Sequence, residues 1–144
     1  MIIKAGVPGN KVVVGLTSYG RSFQMTEVGC WGPDCKFTGD RVTSNATPGR
    51  YTDTGGYIAD AEINEIISGG ANGKRENSRV TKQFLDTSSN SDVLVYDDDQ
   101  WVAYMSESTK AVRTRLYASL GFGGTTDWAT DLQKFNDVPK PAKN

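Results

Sequence analysis

The residues that could do chemistry are few. The chain has no histidine, and its two cysteines, Cys30 and Cys35, lie in Gly-Cys-Trp-Gly-Pro-Asp-Cys, a spacing that fits no zinc or redox motif. Gly32 and Pro33 can turn the chain so that the two sulfurs meet, which predicts a disulfide, with two reduced cysteines as the alternative. The densest acidic group is Asp97-Asp98-Asp99 with Asp92 five residues before it. It lies where a hairpin turn is expected and reads as solvated turn residues. Asn45-Ala46-Thr47 is a glycosylation sequon, relevant in a secreted chain. No metal or cofactor is expected.

Composition narrows the partners. Sixteen Lys and Arg nearly balance seventeen Asp and Glu, so a phosphate backbone is not expected as a ligand. No apolar run approaches the roughly 20 residues that cross a bilayer, and no basic-then-apolar leader opens the chain. A neutral partner, and neither nucleic acid nor membrane, is the expectation. A disulfide and a sequon without a signal peptide predict a chain cut from a longer secreted protein, or a gene that lost its front end.

The elements that must position these residues follow from periodicity. Residues 11–16 form a continuous β-branched run after the turn at Pro8-Gly9-Asn10, as in a parallel strand buried on both faces. Residues 24 to about 51 suit loops and short strands. Thr54 offers an N-cap, and Ala59, Ile63, Ile66 and Ile67 repeat at helical spacing up to Gly69-Gly70, which predicts a helix over 56–68. A mobile loop is expected from 69 to 79. Next, 93–96 and 101–104 flank the acidic turn as a hairpin. Ser106 caps a second helix over 107–119, with Val112, Leu116 and Leu120 on one stripe and Gly121 at its end. A last strand ends at Trp128, before a polar tail with Pro139 and Pro141. Strand, crossover and strand is the grammar of a parallel sheet, and two such strands leave their edges open, so partner strands are missing.

Four segments carry a resemblance. Lys-Val-Val-Val-Gly-Leu-Thr-Ser-Tyr-Gly-Arg-Ser-Phe (11–23) resembles the seventh barrel strand of family 18 chitinases, and Gly-Tyr-Ile-Ala-Asp-Ala-Glu-Ile (56–63) the helix of the chitinase insertion domain. Gln-Trp-Val-Ala-Tyr-Met-Ser with Lys110 is similar to the hairpin and helix that leave that domain. Gly-Gly-Thr-Thr-Asp-Trp-Ala-Thr-Asp-Leu (123–132) is similar to the eighth strand in its fungal form.

The resemblance implies an α+β insertion domain (24–104), a small antiparallel sheet with one helix. It would be flanked by segments (1–23 and 105–144) carrying the last two strands of an incomplete (β/α)8 barrel. It implies that Trp128 is a stacking floor for a sugar ring, that Tyr19 and Arg21 line the same subsite, and that Glu62 is a weaker contact. An indole offers a flat apolar face to a pyranose, and Tyr and Arg donate hydrogen bonds to its hydroxyls and N-acetyl carbonyl. The family's catalytic Asp-x-x-Asp-x-Asp-x-Glu motif is absent from the chain. Ala61 stands where many members have an aromatic, and Met105 where many have Asp.

The expected function is therefore a chitinase-derived chain, non-catalytic by itself, that binds chitin or chitooligosaccharides. The alternatives are a segment of an active chitinase and a module that self-associates through its open strand edges.

Overall fold

The computed structural model describes residues 2–40, 42–69 and 79–134. Seven strands and two helices follow in the order β1 (Val13–Thr17), β2 (Tyr19–Gln24), β3 (Tyr57–Ala59), α1 (Asp60–Ser68), β4 (Val80–Asp86), β5 (Ser91–Tyr96), β6 (Gln100–Tyr104), α2 (Glu107–Ser119) and β7 (Gly124–Trp128). They build two sheets. β1 and β7 pair in parallel, Val13 opposite Gly124 through Thr17 opposite Trp128. The other five strands form an antiparallel sheet in the order β3-β2-β6-β5-β4. The mixed α/β character and the small antiparallel sheet match expectation.

One stretch departs from it. Residues 11–23, expected as a single strand, break at Ser18, and β2 leaves the parallel pair to join β3 and β6. The Ser18 N–H donates to the Trp128 carbonyl at 3.0 Å, closing the parallel ladder, while its carbonyl accepts from the Asp60 N–H at 3.0 Å. The expected boundary at residue 23 therefore falls inside the larger sheet. Gly20 follows from this crossing, because a Cβ there would lie 2.4 Å from Val102 Cγ2.

The core lies between one face of the larger sheet and α1. Strand periodicity puts Ile58, Leu94, Tyr96, Val102 and Tyr104 on that face, and Ile63 and Ile66 descend onto it from the helix. At 25 cal/mol per Å², each such side chain stabilises the fold by about 1.5–3 kcal/mol. The helix starts later than the sequence predicts, since Tyr57–Ala59 pairs with β2 (Arg21 opposite Tyr57, Tyr19 opposite Ala59) before the chain turns helical. Its N-cap is Ala59, without a side-chain cap, instead of Thr54. Gly69, left-handed at φ 85°, ends it.

The second helix spans 107–119 as read, with Ser106 Oγ accepting from the Thr109 N–H. The hairpin also forms, and Asp97 and Asp98 take left-handed backbone that Asp tolerates. β4 was not anticipated. Only residue 79 of the expected 69–79 loop interior, with Gly69 at its start, lies among the described residues, and 135–144 of the tail lie outside them.

The parallel pair is not covered on both faces as its sequence predicts. Val13 is 58% exposed, as are Val112, Leu116 and Leu120 on α2 at 43%, 50% and 58%. Apolar side chains on the strand and on the helix thus lie open. No helix among the described residues is long and apolar enough to cross a membrane.

Candidate functional site

Three of the four expected site residues lie on β7 and β2, on either side of the Ser18 crossing between the two sheets. β7 ends at Trp128, and Ala129, held at φ 64° in a conformation that costs a residue with a Cβ, turns the chain into a 3-10 turn at Thr130–Leu132. The indole is left 65% exposed at the strand tip. Its carbonyl is bonded to Ser18, and the next residue is Tyr19, whose ring meets Tyr57 edge-on at 5.8 Å. The Arg21 guanidinium lies over the Tyr19 ring at 5.7 Å, with its donors free to face solvent on an exposed side chain. Tyr57 belongs to the same cluster, and its place was hidden in the sequence because 56–63 reads as helix.

Glu62 is placed otherwise. It is 8% exposed, and its Oε1 accepts from the Arg50 N–H at 3.1 Å. The carboxylate tethers the 49–52 turn against α1 and is buried, whereas Trp128 and Arg21 are exposed. Its other oxygen is buried without a hydrogen-bond partner, beside Gly49, where a Cβ would come within 2.7 Å of it.

Beneath the aromatic cluster lies a charged centre. Lys110 Nζ reaches Asp60 Oδ2 at 3.2 Å and Ser18 Oγ at 3.3 Å, from α2 to the start of α1 and the sheet crossing. The Lys110 and Asp60 side chains are 7% and 9% exposed. Burial pushes the Asp60 carboxyl up to about 6, with Glu107 and Asp127 adding to the rise and Lys110 opposing it. Glu107, 3.9 Å from Lys110 but almost fully solvated, adds little. The Ser18–Asp60–Lys110 group escaped the sequence reading because Asp60 looks like any acid in a first helical turn.

The acidic residues at the hairpin act as acceptors. Asp97 pairs with Arg79 at 2.6 Å, Asp99 Oδ2 takes the Gln24 amide at 2.8 Å, and Asp92 Oδ2 takes the Ser106 N–H at 2.8 Å. Asp92 and Asp99 are thus half-buried struts instead of solvated turn residues. Cys30 and Cys35 are joined, with 5.6 Å between their Cα atoms, and Asn45 is exposed.

A parallel strand pair thus joins a small antiparallel sheet with one helix, with Trp128 exposed at the tip of the pair. Residues 1–133 match the family described as glycosyl hydrolases family 18, and the chain belongs to that family. It is 54% identical over its whole length to "Secreted chitinase LysM12" of Penicillium expansum, and 56% identical over 96% of its length to "Probable chitinase LysM18" of the same fungus. It spans 9% of the length of each of these relatives. Among solved structures, a family 18 chitinase mutant from Cycas revoluta in complex with (GlcNAc)4 is 25% identical with a TM-score of 0.67, over 88% of this chain and 30% of that one. The immunomodulatory active chitinase of Trichuris suis, 20% identical, shares the fold at a TM-score of 0.75 over 90% of this chain and 31% of that one.

Proposed function

We propose that this chain is a chitinase-derived substrate wall, which binds β-1,4-linked N-acetylglucosamine oligomers and carries no catalytic acid of its own. The observation that supports it most is the 65% exposure of Trp128 at a strand tip bonded to the residue before Tyr19. A large indole held out to water by an ordered backbone is poised for a ligand with an apolar face. Tyr19 and Arg21 supply donors beside it. In this reading β1 and β7 are the seventh and eighth strands of a (β/α)8 barrel, the five-stranded sheet with α1 is the inserted domain, and Glu62 supports the fold of that domain. The parent protein is extracellular, consistent with the Cys30–Cys35 bridge.

Titration of chitooligosaccharides against the chain, followed by tryptophan fluorescence, tests the reading. A saturable change is expected. No change at millimolar sugar, with the protein shown to be folded, overturns it.

A second reading has its own support. The relatives are named as chitinases and are far longer than this chain, and the exposed Val13, Val112, Leu116 and Leu120 have the character of surfaces that further strands and helices cover. On that view the chain is one segment of an active chitinase. Sequence upstream of Met1 carrying Asp-x-x-Asp-x-Asp-x-Glu establishes it. The chain alone is expected to leave a chromogenic chitobioside intact.

A further inference from the structure

Asn45-Ala46-Thr47 is the one Asn-x-Ser/Thr sequence in the chain, and the Trp128 site makes no use of it. Its surroundings decide whether the folded chain can carry what such a sequence accepts. Gly39 and Ser44 form an antiparallel bridge just before it. Ser44 Oγ donates to the Ser22 carbonyl at 3.0 Å and accepts from the Ala46 N–H at 3.1 Å, and the Thr47 N–H donates to Gln100 Oε1 at 2.8 Å. The segment is thus tied to the five-stranded sheet on both sides of Asn45, at β2 and at β6. Between the ties the side chains alternate: Ala46 is 3% exposed, while Asn45 and Thr47 face solvent. Among the described residues, neither the Asn45 amide nor the Thr47 hydroxyl supplies a hydrogen bond to the fold.

We infer that Asn45 is a site of N-glycosylation, its Nδ2 taking an oligosaccharide from a lipid-linked diphosphate donor. A bond forms between Nδ2 and the anomeric carbon of the sugar, the bond from that carbon to the diphosphate oxygen breaks, and the proton lost by the amide ends on the released diphosphate. The inference rests on the extracellular reading above, because that donor belongs to the secretory pathway. The fold accommodates the product without losing a contact. Phe37 and Val42, within a few residues of the Gly39–Ser44 bridge, are 45% and 85% exposed, apolar surface that a hydrated glycan rooted one residue past the bridge screens. Ser22 lies four residues beyond Ser18, roughly 13 Å at the rise of a strand, so the glycan is rooted away from Trp128. Pro48 limits the reaction. It holds Thr47 in extended backbone and opposes the turn that brings the Thr47 hydroxyl onto the Asn45 amide, so occupancy is partial.

Secretion of the chain from a eukaryotic host behind a cleavable leader tests this, with intact mass measured before and after a glycan-releasing amidase. A sugar-bearing fraction is expected, which the amidase collapses to the bare chain with an aspartate at position 45. Asn45→Gln and Thr47→Ala, each shown to be folded by circular dichroism, should lose that fraction completely, and Pro48→Ala should enlarge it. Secreted wild-type chain with the Cys30–Cys35 bridge formed and no releasable sugar overturns the inference, whether or not Pro48→Ala acquires one, and leaves the extracellular reading standing. Free thiols together with absent sugar overturn both. Sugar that survives Asn45→Gln overturns the assignment to this residue.

Discussion

Lys110 and Asp60 form an ion pair of 3.2 Å in which neither side chain is more than a tenth exposed; Lys110 Nζ also donates to Ser18 Oγ, and the Asp60 backbone N–H donates to the Ser18 carbonyl. The pair joins α2 to α1 at the point where the chain crosses between sheets. Such a pair adds little over an apolar replacement, yet removing one member strands the other charge.

Lys110→Met is therefore expected to lower stability by about 3–5 kcal/mol, because the Asp60 carboxylate, with one oxygen already unbonded, loses its counter-charge. The double variant Asp60→Asn, Lys110→Met should recover much of that loss. Urea unfolding of the single and double variants measures the coupling.

Asp60 also sets a pH dependence. Its carboxyl sits at about 6 in the fold against 3.8 ordinarily, so between those values the native state holds more proton than the unfolded chain. Stability contributed by this group is then present below about 3.8 and declines as pH rises through about 6. Thermal melts across that window should show the decline in wild type and a shallower slope in Asp60→Asn. Identical slopes would remove Asp60 as the cause.

Trp128→Ala separates binding from folding. With the indole 65% exposed, the melting temperature should move little, within about 0.5 kcal/mol of stability. Affinity for chitooligosaccharides should fall about tenfold. A large loss of stability would instead mark Trp128 as a packing residue.

The Cys30–Cys35 bridge closes a short loop, with a sequence separation of 5. The chain-entropy account gives it about 2 kcal/mol. Cys30→Ser with Cys35→Ser should cost no more than that, while freeing the loop that carries Trp31.

The exposed apolar side chains of α2 make a prediction about association. Leu116 is 50% exposed, and Leu116→Glu should abolish any concentration-dependent self-association seen by sedimentation velocity while changing stability little. A wild-type chain that stays monomeric at every concentration removes self-association as a use of this surface.

Local signals explain what the sequence made legible. The 107–119 helix was readable to its ends because Ser106 caps it and Gly121 follows it, both local effects. The acidic hairpin was readable for the same reason. The 56–68 helix was misjudged at its start because β pairing claims Tyr57–Ala59, and pairing with β2 is a long-range event that no spacing announces. β4 escaped because it is an edge strand carrying Thr81, Lys82, Gln83 and Asp86, the charged dress that keeps edges from aggregating and hides their period. At the site, Trp128, Tyr19 and Arg21 were singled out through motif resemblance; Trp128 and Arg21 are exposed and Tyr19 is half-buried against Tyr57. Glu62 belonged to the same motif match, yet burial gives it a backbone partner in place of solvent.

Ser18 alone separates β1 from β2, fully buried and bonded through N–H, carbonyl and hydroxyl to three different elements. A joint one residue long has no slack. Its three hydrogen bonds tie β7, α1 and α2 to the crossing, so any shift of the antiparallel sheet against the parallel pair has to break them or carry all three along.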